Sequence, residues 1–188
     1  GLRRVMTLLE TSTGHPPIAE QRTERLTTAA ASWGERISAD PTAAELTFRV
    51  KAEGEGSVAS RVTSGKHTFA VDEPAALAGD DAAASPVEYA LGALLSCQVV
   101  VYRLYAQALG VQVDGIAIEA EEDLDARKLF GIEEGVRAGF TSVRLDVRIS
   151  GPETEERYKE LKDAVDEHCP VLDVFANPTP VSITVSKA

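Results

Sequence analysis

The sequence predicts an α+β fold in which a curved antiparallel sheet packs against two central helices. Apolar and polar residues alternate from Glu45 to Val71 and again from Phe140 to Ile149, which is typical of half-buried antiparallel strands. The segment Pro86 to Leu109 carries almost no charge and predicts a long helix that is buried on most sides. Thr154 to His168 has apolar residues at helical spacing and supplies the second helix.

An N-terminal arm, residues 1–44, is expected to precede a main domain that spans residues 45–188. Within the arm, Thr11 to Pro17 predicts a loop. Ile18 to Ile37 predicts a helix, because its apolar residues recur at helical spacing. These residues are Leu26, Ala29, Ala30, Trp33 and Ile37.

Three strands are expected to form a meander at the start of the main domain. The first strand runs from Glu45 to a glycine turn at residues 54–56, and a second strand follows that turn. The third strand covers Lys66 to Val71. The apolar face of the first strand consists of Leu46, Phe48 and Val50.

The long helix has recognisable ends in the sequence. Ser85 is a suitable N-cap and Pro86 fits the first turn, while Gly110 provides a C-terminal stop. Only Glu88 and Arg103 carry a charge between these ends. A helix of this composition needs other parts of the protein to cover it.

The C-terminal half is expected to complete the sheet. A strand is predicted over Val111 to Ala120, a loop over residues 123–139, and then the strand that begins at Phe140. The helix that follows is expected to end before Pro170. A closing strand is predicted from the alternating residues Val181, Ile183 and Val185.

Composition limits the possible functions. The 188 residues are 44% hydrophobic and 26% charged, which is normal for one substantial globular domain. The formal net charge of -11 disfavours binding to nucleic acids or to anionic membranes. We find no segment that approaches the roughly 20 apolar residues of a membrane span, and no secretory signal. With two cysteines and no disulfide framework, we expect a cytoplasmic protein.

The two cysteines carry the most functional information. Cys97 lies in the apolar helix, and Cys169 lies in the segment His168-Cys169-Pro170-Val171. Their spacing fits neither a CxxC motif nor a local metal site. From the residues alone they are either inert core thiols or a redox pair that the fold brings together.

The segment from Glu45 to Val185 resembles the OsmC/Ohr family, which comprises osmotically inducible protein C and organic hydroperoxide resistance proteins. Short motifs in the same order, with both cysteines in place, carry the resemblance. They are His67, Asp72-Glu73-Pro74, Ser85-Pro86-Val87-Glu88, Cys97, Leu124-Asp125, Gly131, Glu167-His168-Cys169-Pro170-Val171 and Pro180-Val181.

The resemblance implies an intertwined homodimer with active sites between the chains. It also implies a thiol-dependent peroxidase in which Cys97 attacks the peroxide and Cys169 resolves the product. The reductant is an external thiol, dithiol or lipoyl group, and no cofactor or metal is needed. Apolar residues around Cys97 favour an organic hydroperoxide over hydrogen peroxide.

A thiol in an apolar helix forms a thiolate only if a cation lies close by. In Ohr proteins a glutamate-held arginine supplies this cation, and the resemblance places Glu88 at the glutamate position. For the arginine we select Arg61, with Lys66 or Arg103 as alternatives. Nine helical residues separate Glu88 from Cys97, a rise of roughly 13 Å that puts them on opposite faces. We therefore expect Glu88 to serve the Cys97 of a second chain.

Other interpretations are possible. A non-catalytic relative would keep the dimer and bind a small apolar or acyl ligand in a cavity between the chains. His67 and His168 are candidate general bases, but lone histidines are more often structural, and no third ligand cluster indicates a metal site.

Overall fold

The computed structural model describes residues 19–188, and the chain divides into two compact units, residues 1–45 and 46–188. In the first unit, helix α1 spans Ala19–Ala39, which confirms the predicted helix within the described residues. A short 3₁₀ helix follows at Pro41–Ala44, where the Asp40 carboxylate caps the Thr42 N–H. Ile18 and the loop predicted at Thr11 to Pro17 lie outside the described residues.

The second unit begins with the meander. Strands β1 (Lys51–Glu55), β2 (Ala59–Ser64) and β3 (His67–Val71) form one antiparallel sheet in that order. The first strand starts at Lys51, so the prediction of a start at Glu45 was wrong. Lys51 already lies opposite Thr63, near the end of β2, so the residues before it extend past their partner strand. Leu46, Phe48 and Val50 are therefore exposed.

Helix α2 spans Pro86–Leu109, as predicted. The Ser85 side chain accepts a hydrogen bond from the Glu88 N–H, and the Glu88 carboxylate accepts one from the Ser85 N–H, so the two form a capping box. At the other end, Gly110 adopts the left-handed conformation (φ 68°) that suits glycine. Local sequence signals set both ends of this helix.

Within the described residues, α2 alone is long and apolar enough to cross a membrane, so the expectation that no segment approaches such a span was wrong. The core helix of a globular protein meets the same test of length and composition. In this chain the helix is covered on one side only. Large apolar side chains on the other side are exposed, namely Tyr89, Val100 and Leu104.

Strands β4 (Gly115–Leu124) and β5 (Phe140–Ser150) form a separate two-stranded antiparallel sheet. Helix α3 (Glu155–His168) and the short helix α4 (Pro170–Ala176) follow. Pro170 therefore lies just after the end of α3 and is also the first residue of α4.

The strand predicted from Val111 begins four residues later. Val111 and Val113 instead lie buried beneath the end of α2. The closing strand predicted at Val181, Ile183 and Val185 was wrong, because these side chains are 76% to 98% exposed and pair with no strand in the described chain.

The fold is α+β, as predicted, although the single chain forms two small sheets instead of one curved sheet. Helix α2 contacts α3, α4 and β4. The buried core is the layer where these elements meet. It consists of Val101, Tyr102, Ala106, Val111, Val113, Leu161, Val165 and Cys169.

Candidate thiol site

The fold brings the two cysteines together. The sulfur atoms of Cys97 and Cys169 lie 3.5 Å apart as two free thiols, and the Cys169 thiol donates toward Cys97. Seventy-two residues separate them in the sequence. A disulfide needs the sulfur atoms at about 2.05 Å, so only a small movement would join them.

The two thiols differ in accessibility. Cys97 lies midway along α2, packs at the edge of the core and is partly exposed. Cys169 is the residue at which α3 ends and α4 begins, and only 3% of it is exposed. A small molecule from solvent therefore meets Cys97 first.

The surroundings of Cys97 favour its neutral thiol. Burial raises the pKa of Cys97, and the nearby Cys169 thiol adds to this increase. The backbone N–H of Val171, in the first turn of α4, forms a hydrogen bond with the Cys97 sulfur. This bond lowers the pKa of Cys97. Within the described part of the chain no cation contributes to this balance. A single chain therefore leaves the thiolate disfavoured.

Glu88 is positioned by its own helix. Its Oε1 atom accepts hydrogen bonds from the Ser85 hydroxyl at 2.6 Å and from the Ser85 N–H at 3.1 Å. These bonds, that from the hydroxyl first, lower the pKa of Glu88 and favour the carboxylate. Glu88 and Cys97 lie on one helix, and nine helical residues place them on opposite faces.

The structure pairs Arg61 with carboxylates of its own sheet. Its guanidinium lies 3.1 Å from Glu53 and 3.3 Å from Glu55, both on the adjacent strand β1. Lys66 lies in the turn between β2 and β3. Arg103 donates to the Val113 carbonyl oxygen at 2.7 Å. Their predicted role as the activating cation stays a prediction for an assembly of two chains.

The histidines have structural surroundings. His168 Nδ1 lies 2.6 Å from the Ala164 carbonyl oxygen, and the ring stacks on Tyr105 with 4.5 Å between centroids. His67 begins β3 opposite Ser64. Across residues 19–188, no three His, Cys, Asp or Glu side chains are arranged to hold a metal ion.

Two features of the site were missed in the sequence. The first is the hydrogen bond from the Val171 N–H to Cys97, which forms because a helix starts at Pro170. The sequence does contain a signal for that helix, since proline is common at the first position of a helix. Gln98, next to Cys97, is only 2% exposed, and its Nε2 atom finds no hydrogen-bond partner in the described chain. No sequence signal distinguishes that glutamine from an exposed one.

Comparisons with known proteins agree with this architecture. A family model described as OsmC-like protein matches residues 79–184, more than half of the chain. Comparison with curated proteins found no match. Among solved structures, an OsmC-like protein from Mycoplasma pneumoniae is 18% identical with a TM-score of 0.61, covering 70% of this chain and 88% of that one.

Two structures named for organic hydroperoxide resistance are also similar. The protein from Legionella pneumophila is 21% identical with a TM-score of 0.56, covering 71% of this chain and 91% of that one. OhrB of Bacillus subtilis is 24% identical with a TM-score of 0.52, covering 71% and 93%. At these identities the likeness shows the fold.

Proposed function

Since the chain belongs to the OsmC-like protein family, we propose that it is a thiol-dependent peroxidase that reduces organic hydroperoxides and protects against oxidative stress. The observation that carries the proposal is the pair of free thiols 3.5 Å apart, one accessible and one buried. Cys97 is the attacking thiol because solvent reaches it. Cys169 is the resolving thiol because it is buried beside Cys97.

The proposed cycle has three steps. The Cys97 thiolate attacks the outer peroxide oxygen, the O–O bond breaks, and protonation releases the alcohol while Cys97 becomes a sulfenic acid. The Cys169 thiol then attacks the sulfenic sulfur, which forms the Cys97–Cys169 disulfide and releases water. An external dithiol, such as a lipoyl group, reduces the disulfide and is itself oxidised. A cytoplasmic location, where such reductants are available, is part of the proposal.

A homodimer completes the site in this proposal. The apolar side of α2 and the C-terminal residues Val181, Ile183 and Val185 are exposed in a single chain. In the dimer a second copy packs against them and removes them from solvent. Both Ser85 bonds use Oε1 of Glu88, so Oε2 is available to orient a cation, with Arg61 as our candidate. Because Glu88 faces away from the Cys97 of its own chain, that cation serves the Cys97 of the partner.

One observation favours a second candidate function. The raised pKa of Cys97 and the lack of a cation beside it in the described chain also fit an unreactive thiol. The second candidate is therefore a dimer that binds a small apolar or acyl ligand without turnover.

Peroxide consumption by the purified protein tests the two candidates. Cumene hydroperoxide and hydrogen peroxide are the substrates, with dithiothreitol or dihydrolipoamide as the reductant, and Cys97→Ser is the control. Turnover that disappears in Cys97→Ser, together with a Cys97–Cys169 disulfide in the mass spectrum, supports the peroxidase. No turnover, with both thiols still reduced after peroxide treatment, supports the ligand-binding protein.

A further inference from the structure

A pocket of about 380 Å³ lies between helix α3 and strand β5. This volume is within the range of roughly 300–1,000 Å³ that is usual for small-molecule sites. The strand side of the pocket consists of Leu145, Val147 and Ile149, which alternate along β5 and therefore share one face. These three side chains are only half-buried. They form an apolar wall that is open to a ligand.

Two tyrosine rings add to the apolar lining. Tyr102, from α2, is only 1% exposed, and burial together with the carboxylates of Asp166 and Asp163 raises its pKa to about 12. Tyr102 therefore stays neutral. Tyr158, from α3, donates its hydroxyl hydrogen to the Gln112 carbonyl oxygen at 2.7 Å, which holds its ring in place. The pocket thus has aromatic as well as aliphatic surface.

The remaining lining residues are charged and lie on α3. They are Glu155, Lys159 and Lys162. Lys162 Nζ lies 2.7 Å from the Asp166 carboxylate, which neutralises it. Glu155 lies in the first turn of α3, where the positive end of the helix dipole offsets its charge. Lys159 is exposed and forms no salt bridge with any residue that the structure describes. One unpaired ammonium group therefore lies beside the apolar wall.

We propose that this pocket binds a small aromatic carboxylate, with its ring against the wall of β5 and its carboxylate at Lys159. An apolar wall, two aromatic rings and one unpaired cation match a ligand that carries a ring and a single negative charge. The pocket is formed within one chain and includes neither Cys97 nor Cys169. The inference therefore goes beyond the proposed peroxidase and does not depend on it.

Calorimetry with probes of matched shape tests the charge of the ligand. The probes are phenylacetate, phenylethanol and phenylethylamine, and acetate serves as the carboxylate without a ring. We expect the wild type to bind phenylacetate about fivefold more tightly than the alcohol or the amine, and not to bind acetate measurably. Lys159→Met removes the charge and keeps an apolar stem, so it should weaken phenylacetate binding about fivefold and leave phenylethanol binding unchanged. The control Lys187→Met removes the same charge from the C-terminal segment and should change neither.

Lysine acetylation locates the bound ligand. Phenylacetate should slow the acetylation of Lys159 and leave that of Lys187 unchanged, as mass spectrometry of each lysine would show. A wild type that binds no phenylacetate, or that binds acetate, the alcohol or the amine as tightly, overturns the inference. Equal phenylacetate affinity in Lys159→Met and Lys187→Met overturns it as well.

Discussion

The backbone N–H of Val171 donates a hydrogen bond to the sulfur of Cys97, so the start of α4 meets the middle of α2 at this thiol. This bond favours the Cys97 thiolate, whereas burial and the Cys169 thiol favour the neutral form and prevail. In one chain the Cys97 thiolate is therefore disfavoured, and the reactivity of Cys97 reports whether a second chain supplies a cation.

The first prediction concerns the pH dependence of Cys97 alkylation. In dilute, dissociated protein the raised pKa of Cys97 means that iodoacetamide alkylates Cys97 rapidly only above the pH range in which an ordinary thiol ionises. In concentrated protein, a cation from the partner chain shifts the midpoint of the rate profile to lower pH. The measurement uses a Cys169→Ser background, so that only one thiol reacts. Identical profiles at both concentrations would contradict a shared site.

The same raised pKa has a consequence for stability. A folded-state pKa above the unfolded value means that folding stabilises the neutral Cys97 thiol. That contribution is fully present below the unfolded pKa and is lost as pH rises through the folded pKa. Denaturant titrations above pH 9 would show this loss in the wild type and not in Cys97→Ser.

The second prediction separates the roles of the two thiols. In Cys169→Ser the sulfenic acid formed on Cys97 has no buried thiol to resolve it, so further peroxide oxidises Cys97 to sulfinic and sulfonic acids. Mass spectrometry after peroxide treatment would find two or three added oxygens on Cys97. The wild type would show the disulfide instead. A Cys169→Ser protein that shows no overoxidation when it is treated with peroxide in the absence of any external thiol would exclude Cys169 as the resolving residue.

The third prediction concerns the capping box at the start of α2. Ser85→Ala removes the hydroxyl that bonds Glu88 and should lower the free energy of unfolding by about 1 kcal/mol. Thr154→Ala is the matched control, because the Thr154 side chain caps α3 by accepting a hydrogen bond from the Arg157 N–H. This substitution should lower the free energy of unfolding by a similar amount. Only Ser85→Ala should also reduce peroxidase activity, since Glu88 loses its fixed orientation. Equal activity in the two variants would leave Glu88 a merely structural residue.

The fourth prediction concerns Gln98. Its buried Nε2 atom without a hydrogen-bond partner in the described chain destabilises the fold. Replacement by the similarly shaped Met should therefore raise the free energy of unfolding by about 1 kcal/mol, measured by urea denaturation of dilute protein. A loss of 1 kcal/mol or more would show that the amide has a partner in solution, such as a bound water or a second chain.

The parts of the fold that were predicted correctly are those that local sequence determines. The ends of α2 are set by hydrogen bonds of Ser85 and Gly110 with residues nearby in the sequence, and Pro86 fits the first turn. The sequence alone is enough to predict such ends. The alternation in β5 could also be recognised in the sequence, because β4 provides the neighbouring edge that β5 needs. The pairing of Cys97 with Cys169 required a family resemblance, because the spacing of the cysteines alone left both a redox pair and inert core thiols open, and lone buried cysteines are more often inert.

Two of the errors, the early start of β1 and the closing strand, share one physical cause. Alternation describes the side chains of a strand, whereas strand formation also needs a neighbouring edge for the backbone hydrogen bonds. Residues 45–50 run past the end of β2, and residues 181–185 have no neighbour in the described chain. Both segments alternate correctly and are exposed for lack of a partner.

The fifth prediction tests whether a second copy provides that partner. Ile183 is 88% exposed, so Ile183→Asp should leave the thermal stability of the dilute chain unchanged. If a partner chain buries Ile183, a symmetric dimer loses an apolar contact of about 1.5–3 kcal/mol twice, which weakens the dimer by roughly 10²- to 10⁴-fold in sedimentation analysis. Lys187→Asp is the control, because it adds an acid to the same segment without removing an apolar side chain. A dimer weakened equally by both variants would indicate charge repulsion, and an unchanged dimer would place the interface elsewhere.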